Sequence, residues 1–94
     1  MDRIHNLIKE AQNGNKEAFE YIINENIGLI WSIVKKFQGR NIDNDDLFQL
    51  GSMGLVKAVK NFNFNFNVKF STYAVPMILG EINHHCQYFY LETF

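Results

Sequence analysis

The chain has 94 residues, 47% of them hydrophobic, with nine Lys and Arg against ten Asp and Glu and a net charge of −1. That length predicts a single domain over 1–94, near the lower end of autonomous size, and the composition is that of a globule. So neutral a chain excludes tight binding of duplex DNA on its own, because that affinity comes mainly from phosphate neutralisation. The lone Cys excludes an internal disulfide and suits a reducing compartment. Met1–Ala11 has no apolar core of signal-peptide type, and the apolar runs are short and broken by charge, so no membrane span is expected.

Arg3–Gln12 reads as a short helix with Ile4, Leu7, Ile8 and Ala11 on one side. Asn13, Gly14 and Asn15 end it and start the next, since Gly takes the left-handed cap conformation and Asn15 is a good N-cap. A second helix is expected from about Lys16 to Gln38. Its core stripe is Phe19, Ile22, Ile23, Ile30, Ile33, Val34 and Phe37. Asn24, Asn26 and Gly28 weaken its middle and predict a kink or break near Gly28. Lys35, Lys36 and Arg40 suit the negative end of its dipole.

Gly39–Asn44 reads as a loop. Asp43 or Asn44 then caps a central helix over Asp45–Phe62, with Asp45 and Asp46 in its first turn, where carboxylates are favourable. This acidic cluster is not a calcium loop, because Leu47 and Phe48 stand where further oxygen ligands are needed. Leu47, Gly51, Gly54, Leu55, Ala58 and Phe62 share one face. Each Gly costs about 1 kcal/mol against Ala in a helix interior, a cost most easily carried where another backbone comes close. The opposite side carries Asp46, Gln49, Leu50, Met53, Val56, Lys57 and Lys60. Its apolar members are either scattered surface residues or a docking face for a partner helix.

Asn61–Lys69 alternates Asn and Phe. Period two argues strand, but an isolated strand has no pairing partner here, so the segment is expected to be an ordered loop. If extended, it puts Phe62, Phe64 and Phe66 on one side. Ser71 or Thr72 caps a last helix to about Gln87, with Pro76 in its first turn or just beyond. Tyr73, Met77, Gly80 and His84 follow one helical line. Ala74, Ile78 and Ile82 follow the adjacent one, assigned to the core. The whole predicts an all-α compact bundle of four to five helices.

No nucleophilic triad, phosphate loop or carboxylate pair is visible, so enzyme activity is not expected. His84, His85 and Cys86 are consecutive and diverge by about 100° each on a helix, so they do not converge on one metal ion. What remains is aromatic rings interleaved with cations: Lys57, Lys60, Phe62, Phe64, Phe66, Lys69, Phe70 and Tyr73. Rings stack unpaired bases for about 1–3 kcal/mol each, and nearby lysines hold phosphates. Thr72 and Asn83 offer hydrogen bonds to base edges. Phe62 and Phe70 read better as core, while Phe64, Phe66 and Tyr73 are the candidates for an exposed platform.

The stretches DDLFQLGSMGLVKAVKNF and KFSTYAVPMILGEI resemble region 2 of bacterial RNA polymerase sigma factors. The VPMILGEI form looks most like the sporulation and general-stress branch. The resemblance runs from about Leu7 to Ile82. It implies a cytoplasmic role in transcription initiation, without catalysis by this chain and without a cofactor. The resemblance further implies that Asp46, Gln49, Leu50, Ser52, Met53 and Val56 dock on the clamp helices of the core polymerase's largest subunit. The segment matching Asn63–Tyr73 would melt the promoter −10 element. Tyr73 would stack on a flipped adenine in a pocket lined by Lys69, Phe70 and Thr72, and Gly80 and Asn83 would read −10 bases. From Asn83 the chain departs from the family, reading NHHCQYFYLETF in place of basic residues, so 83–94 form an atypical tail. That departure suggests an interrupted reading frame or a half-factor. Either could act as a protein-interaction module, on the polymerase clamp or an anti-sigma partner, without productive DNA binding.

Overall fold

A computed structural model describes residues 3–37 and 42–93, with side chains as far as residue 84. Helix α1 (Arg3–Gln12), α2 (Lys16–Glu25) and α3 (Ile27–Val34) are followed by a 3₁₀ turn, Lys35–Phe37. Then come α4 (Asn44–Asn61) and α5 (Phe70–Thr93), and there is no strand among the described residues. The all-α expectation holds. Gln38, Gly39, Arg40 and Asn41, and the side chains of His85 and Cys86, lie outside the described residues.

The turn between α1 and α2 forms as its residues dictate. Gly14 has φ +100°, and the Asn15 side chain accepts from the Ala18 N–H at 3.2 Å. The long second helix is in fact two. Its break falls at Asn26 (φ −111°, ψ 8°), two residues before the expected kink at Gly28. The reason is local: the Asn26 Nδ2 donates to the Ile22 carbonyl at 2.8 Å, a bond that competes with the helix ladder. Asp43 occupies the N-cap of α4 without a side-chain hydrogen bond, and Asp45 and Asp46 fill its first turn.

Helix α5 corrects the sequence reading at both ends. It starts at Phe70 and runs to Thr93, not to Gln87. The Tyr73 N–H donates to the Lys69 carbonyl, so Lys69 takes the cap position and Ser71 and Thr72 lie inside the first turn. Pro76 therefore falls in the second turn, where the Thr72 carbonyl faces a ring nitrogen with no hydrogen to donate.

One apolar core joins every element. Leu47, Leu55, Ala58 and Val59 of α4 meet Ala74, Ile78 and Ile82 of α5, all at 0% exposure, with Ile8, Ile22, Ile30 and Val34 closing the other sides. The α4–α5 pair is the most extensive helix contact. Gly54 makes it possible: a Cβ there would stand 2.6 Å from Ile78 Cα and 2.7 Å from the Met77 carbonyl oxygen. Gly51 faces a side chain instead, with Ile30 Cγ2 2.8 Å from the position its Cβ would take.

Two polar ties dock α1. Arg3 donates to the Tyr21 hydroxyl at 2.8 Å. Gln12 Nε2 donates to the carbonyls of Val59 (2.8 Å) and Phe62 (2.9 Å), which the last turn of α4 leaves without helical partners. Gln12→Ala is expected to lower stability by about 1–2 kcal/mol, because two partly buried carbonyls lose their donor. Urea titration measures this; an unchanged midpoint would show that water replaces Gln12 without loss.

Candidate functional site

The outer stripe of α4 steps through Asp46, Gln49, Met53, Val56 and Lys60 at intervals of three and four. Asp46, Gln49 and Lys60 are exposed, Met53 is 47% exposed, and Ser52 and Val56 are half-buried. Leu50 is half-buried and packs partly on the core, so it belongs to both faces. An apolar strip with a polar rim thus stands on the side of α4 turned away from α5. On the α3 side, Trp31 stacks on Phe48 with ring centroids 4.6 Å apart.

The aromatic loop is ordered, but by a turn rather than by extension. The Asn63 side chain accepts from the Asn65 N–H at 2.8 Å, and its carbonyl accepts from the Phe66 N–H at 2.9 Å. The turn folds the rings about Phe62, which is 4% exposed. Phe62 meets Phe64 at 5.3 Å, Phe70 at 5.5 Å, Tyr73 at 5.6 Å, His5 at 5.7 Å and Phe66 at 6.0 Å.

Within this cluster the candidate rings separate. Phe66, 42% exposed, and the half-buried Tyr73 pair with centroids 5.3 Å apart. Phe64 turns to α1, edge-on to His5 at 5.6 Å, with Lys9 Nζ 5.3 Å above its ring. Phe64 is therefore covered on one face. Phe70 is 4% exposed, as its reading as core expects, with its ring 5.5 Å from Phe62, and it lines a small surface pocket together with Lys69 and Ser71.

The cations also part company. Lys69 and Thr72 are exposed at the start of α5, with Gly80 and Asn83 exposed further along it. Lys60 lies across a cleft of about 450 Å³ from Lys16, beside the α1–α2 turn. Lys57 Nζ bonds Glu81 Oε1 at 2.7 Å. Sequence reading missed His5, Lys9, Gln12 and Glu81, because no local pattern pairs residues as distant as Lys57 and Glu81.

The family model for Sigma-70 region 2 matches residues 22–87. The chain belongs to the sigma-70 region 2 family. It is 49% identical over 79 residues to the RNA polymerase sigma-F factor of Bacillus subtilis (strain 168), covering 84% of this chain and 31% of that protein. It is 45% identical over 84 residues to a putative RNA polymerase sigma-G factor of Bacillus thuringiensis subsp. kurstaki, covering 89% and 67%. It is 46% identical over 68 residues to the RNA polymerase sigma factor SigA of a Bacillus species, covering 72% and 18%. The chain thus spans about a third of the length of the sigma-F relative. The sigma-F and sigma-G matches agree with the branch read from VPMILGEI. On the sigma region 2 scaffold, the family match begins at Ile22, so α1, with His5, Lys9 and Gln12, lies before it. No described helix is long and apolar enough to cross a membrane.

Proposed function

We propose that the chain works as a sigma region 2 module in transcription initiation in the bacterial cytoplasm. It docks on the clamp helices of core RNA polymerase through Asp46, Gln49, Leu50, Ser52, Met53 and Val56. It captures one melted strand of the promoter −10 element on Phe66 and Tyr73, with Lys57, Lys60 and Lys69 serving phosphates. Thr72, Gly80 and Asn83 face the bases. The chain breaks no bond; the polymerase performs the chemistry. Likeness to the sigma-F and sigma-G factors supports a sporulation role.

The observation that carries this reading is the Phe66–Tyr73 pair. Two partly exposed rings 5.3 Å apart pack against a buried ring, so the surface is already in place before a base arrives. Stacking of each unpaired base contributes about 1–3 kcal/mol, which offsets the few kcal/mol of unstacking. The net charge of −1 means that the electrostatics must be local or supplied by the polymerase.

The test is fluorescence anisotropy of a labelled non-template −10 oligonucleotide, titrated with core polymerase with and without the chain. Binding that requires both components supports strand capture. A second reading, a module that occupies the clamp or an anti-sigma partner, is favoured by the same near-neutral charge; it predicts binding to core while the oligonucleotide stays free. Gln49→Ala with Leu50→Ala weakens core binding under both readings. Tyr73→Ala is expected to leave core affinity unchanged and to lower strand affinity by about tenfold to a hundredfold, the worth of one stacked base. No loss with Tyr73→Ala removes the strand-capture reading.

A further inference from the structure

Lys57 and Glu81 face each other across the α4–α5 seam, and they are unequal partners. The Lys57 side chain is 51% exposed and Glu81 only 13%. The carboxylate is held against the seam, whereas the ammonium sits at the end of a flexible stem in water. The ammonium, half in water on a flexible stem, can turn to another anion, although leaving a mostly buried carboxylate behind costs more than breaking a fully exposed pair would. The pair also lies beside the line of α5 that the strand-capture reading gives to a bound strand. Tyr73, Met77, Gly80 and His84 form one line on α5, and Glu81 follows Gly80, about 12 Å of helix axis beyond Tyr73. Beside it, Gly80 presents bare backbone, with nothing within 4 Å of where a Cβ would be.

We infer that Glu81 is a built-in competitor for phosphate at Lys57. The inference rests on the strand-capture reading of the Phe66–Tyr73 surface. With Glu81 in place, the charge of Lys57 is already neutralised, so a passing strand gains no counterion release there. A strand seated on the platform exchanges one carboxylate for one phosphate. Glu81 thereby lowers affinity for single strands in general and leaves discrimination to the rings and base edges. It is a specificity-determining residue, acting through Lys57 rather than by touching a base.

The experiment measures strand binding by the chain with core polymerase at several salt concentrations. The variants are Glu81→Gln, Lys57→Gln, the double variant, and Glu20→Gln on exposed α2 as an equal change in net charge. Glu81→Gln is expected to tighten binding about two- to fivefold, the size of an exposed ion pair. It should also steepen the logarithmic salt dependence by about 0.7, the value for one added phosphate contact on a single strand. The double variant should return to the parent slope, and Glu20→Gln should leave it unchanged. If Glu81→Gln behaves like Glu20→Gln while the parent chain binds, the competitor role is overturned and strand capture stands. If neither the parent nor Glu81→Gln binds the strand, both readings fall.

Discussion

Phe62→Ala is expected to destabilise the chain by about 4 kcal/mol, the cost of truncating a buried aromatic to Ala. A typical domain has only about 5–15 kcal/mol in all, so this single change takes a large share. For a chain of this size the melting temperature should fall by about 20 °C. The cause is positional. Phe62 ends α4, is 4% exposed, and meets rings from α1, the loop and α5. Removing it opens a void that no single neighbour fills, since those rings approach from different elements. Phe62→Leu keeps most of the volume and should cost less than about 1.5 kcal/mol. The Leu variant then isolates the second consequence: Phe66 and Tyr73 lose the ring they rest on, so strand capture should weaken although the fold survives. Circular dichroism melts and the anisotropy titration read the two effects separately. A Phe62→Ala melt within about 5 °C of the parent would mean that the cluster is not organised by this ring.

Gly54→Ala should cost about 2 kcal/mol net. Forcing a methyl into a packed contact costs about 3 kcal/mol, and the better helix propensity of Ala returns about 1. The contact is severe because it is with backbone, Ile78 Cα and the Met77 carbonyl, which no rotamer change relieves. Helices α4 and α5 must part where Gly54 meets Met77 and Ile78. Gly80→Ala is the control in the opposite sense: open space surrounds that position, so stability should rise by up to about 1 kcal/mol. Denaturant midpoints for the pair decide the matter; equal shifts would show that propensity, not the close approach, governs Gly54. Gly51→Ala should fall between them, because the Ile30 side chain can yield where a backbone cannot.

Gly54→Ala also bears on function through this seam. Helix α4 presents its apolar strip outward and its small residues inward, while α5 carries Tyr73, Gly80 and Asn83. A shift between the two helices moves the docking strip relative to the strand surface. In the proposed mechanism polymerase and strand are held at once, so the loss of strand capture in Gly54→Ala should exceed the loss of core binding.

The helices, the faces of α4 and the family were legible in the residues themselves. Periodicity set Leu47, Gly51, Gly54, Leu55 and Ala58 against Gln49, Met53 and Val56, because a helix separates its faces by geometry alone. The Asn13–Asn15 turn followed from local backbone chemistry, and so did the existence of a break in the second helix. Its position at Asn26 turned on one side-chain bond to Ile22, which propensity does not weigh. The start of α5 was also misplaced: Ser71 and Thr72 are good caps, yet the helix begins at the buried Phe70, with the Lys69 carbonyl accepting from the Tyr73 N–H. Phe62 and Phe70 were legible as core in the sequence, and both are buried; only the tertiary structure made Phe62 the hub of the cluster and set the Lys9-covered Phe64 apart from the outward Phe66–Tyr73 pair. Alternation along an Asn–Phe repeat gives every ring the same local context. What distinguishes them is which distant element arrives beside each one, as it is for Gln12 on the α4 carbonyls and Glu81 on Lys57, and those partners lie far away in the chain.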